Sequence, residues 1–140
     1  VIVKNRAYSY LPLAQDGYRK ALLNFANVGA TNLFTTAEDL ALWLDNFRHT
    51  AVGGVGALKL MQHTIKLNNG EPLNYAHGIY LGKRGDINIM VHNGEDAGYR
   101  SHAVWYVEPE IGVVVLTNLG TINPSQLADE VGDVAGGCNK

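Results

Sequence analysis

A chain of 140 residues with 46% hydrophobic and 17% charged side chains has the composition of one folded domain, and its charged share lies below the usual ~25%. The formal net charge is -2 and no block of Lys and Arg offers a basic track, which argues against nucleic acid as a partner. Cys138 stands alone, so an internal disulfide, a cysteine zinc site and a redox pair are all excluded, and the apolar run 112–116 is far shorter than the ~18–20 residues of a transmembrane helix.

Residues 1–34 have no sustained period. Val1 to Val3 is a candidate short strand, and Tyr8, Tyr10 and Tyr18 lie among the turn formers Pro12, Asp16 and Gly17. Such a tyrosine-rich, irregular segment is expected to hold by packing on another surface. The chain opens Val-Ile-Val-Lys-Asn-Arg without Met, so any targeting signal is expected to have been removed or never present.

Residues 35–70 form a helical segment. Thr35 followed by Glu38 fits a capping box, and Leu40, Trp43, Leu44 and Phe47 recur at i, i+3, i+4 and i+7 as one apolar stripe. Glu38 and Asp39 put negative charge in the first turn, where the helix dipole favours it, and Gly53 and Gly54 close the helix. A second, shorter helix is expected over Ala57 to His63, with Leu58 and Met61 inward, followed by a turn at Asn68-Asn69-Gly70.

Residues 75–120 read as antiparallel strands. Tyr75 to Leu81 is the first, with Gly78 allowing close approach of another group. Ile87, Ile89 and Val91 alternate with Asn88 and Met90; Ser101 to Val107 is apolar on both faces; Pro109 to Gly112 turns; and Val113 to Leu116 is a β-branched central strand. Short connections favour a meander. Residues 124–135 form a final helix that is expected to use Leu127, Val131 and Val134 to cover one sheet face. The architecture is α+β, an antiparallel sheet flanked by helices.

Chemistry concentrates in His92-Asn93-Gly94-Glu95-Asp96-Ala97-Gly98-Tyr99. Asn-Gly is a hairpin turn signal, with Gly98 easing a second bend. Alternatively His92 projects from a strand end, able to exchange a proton or stabilise negative charge, while Gly94 leaves the strand edge uncovered for a ligand. Ser101 and His102 are adjacent and so face opposite ways on a strand, which argues against a Ser-His pair. His92 and His102 flank a turn and are candidates to meet across the sheet, but Glu95, Asp96, His77 and Glu108 complete no metal-ligand spacing; no metal and no cofactor is expected. His49 and His63 read as helix-surface or helix-end residues, Trp43, Phe47 and Trp105 as core, and Asn118 as organiser of the turn into the last helix. Gly53-Gly54-Val55-Gly56 lacks the Lys-Ser/Thr of a phosphate cradle.

The ordered set Lys4-Asn5-Arg6-Ala7 with Tyr10, Gly29 to Leu40, Tyr75-Ala76-His77-Gly78, His92-Asn93-Gly94, Gly98-Tyr99-Arg100-Ser101, and Pro109 with Val113 to Asn118 resembles the carboxyl-terminal portion of the class C serine β-lactamase and penicillin-binding-protein-like family. That resemblance implies a β-lactamase/transpeptidase-like fold in which His92 takes the place of the basic residue of the third motif. Gly94 would keep the strand edge open, the Glu95 backbone N–H would donate to an oxyanion, and Asn93, Gly94 and Tyr99 would contact substrate. The family's Ser-x-x-Lys and Tyr-x-Asn motifs are absent: no Ser here has Lys three residues on, and Tyr8-Ser9-Tyr10 does not match. The expected partner is therefore a missing amino-terminal half of the same domain, residue 1 lying inside a parent hydrolase of small amide, ester or peptide substrates and the chain being inactive alone. Uncovered sheet edges and helix faces would then drive self-association. The resemblance favours the cell envelope or secretion over the cytoplasm. A non-catalytic binding or structural module of the same fold is the alternative.

Overall fold

A computed structural model describes residues 3–23 and 27–136; Val1 and Ile2 of the expected first strand, and Cys138, lie outside the described residues. Residues 9–21 form a hairpin that the sequence pattern did not announce. Strand β1 (Ser9–Pro12) pairs antiparallel with β2 (Tyr18–Ala21), Ser9 opposite Ala21 and Pro12 opposite Tyr18. Gly17, at φ 111°, makes the return, and Leu13 N–H bonds its carbonyl at 3.0 Å.

Helix α1 (Ala37–His49) starts one residue later than the capping pattern suggested. Thr36, not Thr35, adopts the extended cap conformation, and its Oγ1 accepts the Asp39 N–H at 3.1 Å. The helix stops at Thr50 in the left-handed region, whose N–H reaches Asn46 O. Asn46 is buried yet satisfied: its amide group donates to Val52 O at 3.1 Å and accepts the Val52 N–H at 2.7 Å, fastening the exit loop. Of the apolar stripe, Leu44 is buried and Phe47 half-buried, while Trp43 is 40% exposed, resting edge-on against Phe47 rather than in the core.

Helix α2 (Gly54–Met61) replaces the helix expected over 57–63. Gly53, at φ 76°, caps it, and a side chain there would strike the Ala57 methyl at 2.7 Å, so the turn and the early start both rest on glycine. Leu58 faces inward as expected.

The main sheet is an antiparallel meander, β3 (Tyr80–Arg84), β4 (Ile87–Asp96), β5 (Tyr99–Tyr106) and β6 (Ile111–Thr117), adjacent in that order. The first strand begins at Tyr80 rather than Tyr75. Residues 74–79 instead fold into a tight turn, with Ala76 N–H to Ile79 O at 2.8 Å and Gly78 at φ 81°. No atom of the described residues crowds Gly78, so its glycine serves the backbone angle and not close approach.

Register assigns the faces. Met90 opposes Trp105 and Val104 opposes Val113. On one face Leu44 of α1 packs with Ile79, Met90 and Trp105. On the other, Val104, Tyr106 and Val113 meet Ala128 of α3 (Pro124–Gly136), with Ile87, Ile89 and Val91 half-buried around them. Full burial of a side chain such as Leu44, Met90, Val104 or Val113 contributes ~1.5–3 kcal/mol. Leu127, Val131 and Val134 do not cover the sheet but are exposed; α3 instead turns its small residues Ala128 and Gly132 inward. Gly132 lets the helix lie close on the Tyr106 ring, since a Cβ there would sit 2.7 Å from its hydroxyl. Arg84 ties β3 to α3 through Asp129, at 3.3 Å, and Asp133. The hydrogen bond to Asp133 raises the Arg84 pKa above its ordinary value against the opposing effect of burial. An antiparallel sheet flanked by helices, an α+β fold, is thus in place, and no described helix is long and apolar enough to cross a membrane.

Candidate functional site

Strand β4 is longer than its neighbour. β3 pairs with it only from Ile87 to Val91, ending at Tyr80 opposite Val91, whereas β5 follows it to Asp96. His92 to Asp96 therefore has a paired side and an uncovered side. The direction of each backbone group follows from two bonds. Val107 N–H to Asn88 O turns the even residues of β4 toward β5, and Leu81 N–H to Asn74 O turns the odd residues of β3 away from β4. Both assign the odd residues of β4 to the β3 side. Past Val91, the N–H and C=O groups of Asn93 and Glu95 point off an edge that no described strand covers.

Asn93-Gly94 is consequently strand and not turn. The reversal falls at Ala97-Gly98, between Asp96 and Tyr99, with Ala97 at φ 49°. Gly98 does more than ease a bend. A Cβ there would lie 2.6 Å from Tyr10 O, because the segment before and within β1 is laced across this end of the sheet. Gly98 N–H donates to Ser9 Oγ at 3.1 Å, Tyr10 N–H to Asn118 O at 2.8 Å, and Gly120 N–H to Tyr10 O at 3.0 Å. Asn118 also donates to Tyr8 O, so it secures the amino-terminal segment instead of organising the turn into α3. Tyr99 is engaged in the same way: its hydroxyl donates to Ala7 O at 2.7 Å, where substrate contact had been expected.

The two flanks of the open edge differ. His92 is exposed, on the face that carries Met90, and its Nε2 lies 3.3 Å from the Tyr75 hydroxyl. The Tyr75 and Tyr80 rings meet with centroids 4.5 Å apart and planes inclined at 57°, and both stand within 6.3 Å of the imidazole. On the opposite flank a concavity of about 440 Å³ opens between β4, β5 and the segment leading into α3, lined by Asn93, Glu95, His102, Thr121, Asn123 and Ser125. Glu95 is braced there by Arg100 at 2.7 Å, whose guanidinium also donates to Ala97 O and Tyr99 O. These bonds stiffen the hairpin that presents the Glu95 amide.

His92 and His102 do not meet. His92 opposes Ala103 and Asn93 opposes His102, which puts the two imidazoles on opposite faces of the sheet. Ser101 and His102 likewise face apart. His102 is 7% exposed, with no partner for its Nδ1 among the described residues. Burial lowers its pKa, opposed by the Asp129 carboxylate, which favours the neutral ring. Among the described residues no three His, Cys, Asp or Glu side chains converge as metal ligands. His49 pairs with Asp45 at 3.3 Å on the α1 surface, and His63 is exposed beyond the end of α2.

The Glu95–Arg100 ion pair and the Tyr75 contact to His92 were not anticipated. Glu95 and Arg100 bracket a two-residue turn as opposite charges in cross-strand register, a pattern readable once the turn is placed. Tyr75 has no such signal, because only the 74–81 turn brings it to His92.

Comparison with known proteins adds the family frame. A protein-family model described as Beta-lactamase matches residues 3–135. A D-aminopeptidase of Gluconobacter oxydans (strain 621H) is 23% identical over 104 residues, 74% of this chain and 20% of that protein. The chain thus spans about a fifth of the curated relative it matches.

Proposed function

Because the chain belongs to the β-lactamase family, we propose that it forms the third-motif wall of a serine hydrolase whose nucleophile lies outside these 140 residues. The observation that carries this reading is the uncovered stretch of β4: an exposed imidazole at its start and, three residues on, the Glu95 N–H directed off the same edge. In acyl transfer a serine oxygen attacks the substrate carbonyl, negative charge collects on the carbonyl oxygen, and the leaving amine or alcohol departs before water releases the acyl group. A fixed N–H at the oxyanion contributes on the order of 3 kcal/mol to the transition state, and the strand already holds this one rigid. His92 supplies a hydrogen bond or positive charge to substrate and intermediate, and Asn93 and Gly94 present the edge along which an extended substrate lies.

The D-aminopeptidase similarity favours a small amide or peptide substrate. Exposed apolar side chains support a larger parent domain: Leu42 on α1, Val55 and Leu60 on α2, and Leu127, Val131 and Val134 together on α3. The remainder of the parent would cover them, and the parent would work in the cell envelope or outside the cell. By itself the chain is expected not to turn over substrate.

The test begins with the complete reading frame. A Ser-x-x-Lys followed by Tyr-x-Asn upstream supports the hydrolase, and its absence favours a binding module. In the complete protein, His92→Ala should slow labelling by a fluorophosphonate or a β-lactam about a hundredfold. Its unfolding midpoint should barely move, because the side chain is exposed. Labelling at the wild-type rate, or loss of labelling only in step with loss of folded protein, refutes the role given to His92.

A further inference from the structure

We propose that Tyr75 is a positioning residue that holds the His92 imidazole in one tautomer, with Nε2 as acceptor and the proton on Nδ1. The inference rests on the hydrolase reading only for its consequence in catalysis; the geometry stands apart from it.

The hydroxyl is placed by backbone rather than by chance. Asn74 O accepts the Leu81 N–H and Ile79 O accepts the Ala76 N–H, each at 2.8 Å, so Tyr75 is clamped on both sides and bridges to Tyr80. Gly78 at φ 81° makes this turn possible, and buried Ile79 pins it against Met90 and Leu44. His77 N–H reaches Met61 O at 3.2 Å, fixing the turn to the end of α2 as well. Contact with the tilted Tyr80 ring, centroids 4.5 Å apart, then limits the rotation of the Tyr75 ring. What emerges from this framework is an O–H 3.3 Å from His92 Nε2.

Chemistry selects the direction of that bond. In neutral imidazole one nitrogen donates and the other accepts. A phenol is the better acid and the weaker base of the two groups, so the Tyr75 O–H donates and the Nε2 lone pair accepts. The proton then resides on Nδ1. His92 faces substrate as an Nδ1–H donor suited to a developing negative charge, and its Nε2 is already engaged and does not serve as the base. A single outer hydrogen bond of this kind is how histidines at metal sites are oriented; here a phenol fills that place beside an open strand edge.

Long-range nitrogen–proton NMR spectra of the ¹⁵N-labelled chain, recorded well above neutrality, read the tautomer without any reaction. The wild-type His92 should show a protonated Nδ1 and an unprotonated Nε2. Tyr75→Phe keeps the aromatic contact with Tyr80 and removes only the hydroxyl, and should convert the His92 imidazole to a mixture of tautomers. Tyr80→Phe should leave the wild-type pattern. Nitrogen shifts unchanged by Tyr75→Phe, or moved equally by Tyr80→Phe, overturn the proposal. In the complete protein Tyr75→Phe should slow acylation about fivefold, the rate equivalent of one ordinary hydrogen bond. A tautomer that moves in a protein that never acylates supports this inference and defeats the hydrolase reading alone.

Discussion

Gly94 offers a quantitative separation of packing from function. It opposes Ser101, and a Cβ built on it would overlap the Ser101 hydroxyl oxygen while standing 3.6 Å from the Ser101 Cβ, an ordinary contact. The obstacle to a methyl group at 94 is therefore one oxygen atom. Gly94→Ala recovers ~0.5–1 kcal/mol of chain entropy that glycine loses in a strand, but overpacking costs ~1–3 kcal/mol. The single variant should be destabilised by roughly 0.5–2 kcal/mol. With Ser101→Ala the overlap vanishes and the entropy gain remains, so the double variant should be at least as stable as the parent. Urea unfolding of both single variants and the double variant gives the coupling, expected at ~1–3 kcal/mol. Additivity within about 0.5 kcal/mol refutes this account of the glycine. Labelling of the complete protein adds the functional half. The methyl group stands on the same face as His92, so the double variant should regain stability and still react more slowly than the parent.

Gly98 predicts the opposite kind of response. Its would-be Cβ meets Tyr10 backbone atoms at 2.6–2.9 Å, which no rotamer change relieves. Gly98→Ala should push β1 from the sheet, loosen its bonds to Gly98, Asn118 and Gly120, and cost ~2–4 kcal/mol by urea unfolding; a cost near zero refutes the close approach. His102 should make stability pH-dependent. Burial holds its folded pKa below the unfolded value, so between the two the unfolded chain binds more protons. Its contribution is intact above ~6.5 and is lost as pH falls from there toward the depressed folded pKa. His102→Gln should lose less stability than the parent between about pH 7.5 and 5, and equal losses contradict the assignment.

The strands and helices with long, clean periods were legible in the sequence, and the exceptions have physical causes. Leu44 and Phe47 turn inward as the α1 stripe implies, but Trp43 sits at the margin of that stripe and stays largely at the surface. Thr35 and Thr36 both have an acidic residue three positions later, and only backbone conformation selects Thr36. The β1–β2 hairpin escaped because its strands are four residues long and its second strand exposes Tyr18, Arg19 and Lys20, leaving no alternation to read. The strand expected from Tyr75 was split by Gly78, whose left-handed angle belongs to a turn.

At the site, the competing signals met in Asn93-Gly94. Locally that dipeptide prefers a hairpin turn. Moving the turn there would remove the cross-strand pairs from Gly94–Ser101 to Asp96–Tyr99, break the Glu95–Arg100 ion pair, and lift Gly98 from its seat on Tyr10. Those non-local terms outweigh a turn preference of a fraction of a kcal/mol to about 1 kcal/mol. The consequence is chemical. Keeping β4 extended for five residues beyond its β3 pairing turns what would have been loop amides into fixed ones, and the Glu95 N–H gains its direction from register alone. A backbone donor has no side-chain signature, so the sequence could name Glu95 only through family resemblance; the reason it points outward is the early end of β3 at Tyr80. The same early end frees Tyr80 and, through the 74–79 turn, Tyr75 to stand beside His92. One strand stopping short thus exposes the amide, opens the edge and supplies the imidazole with its partner.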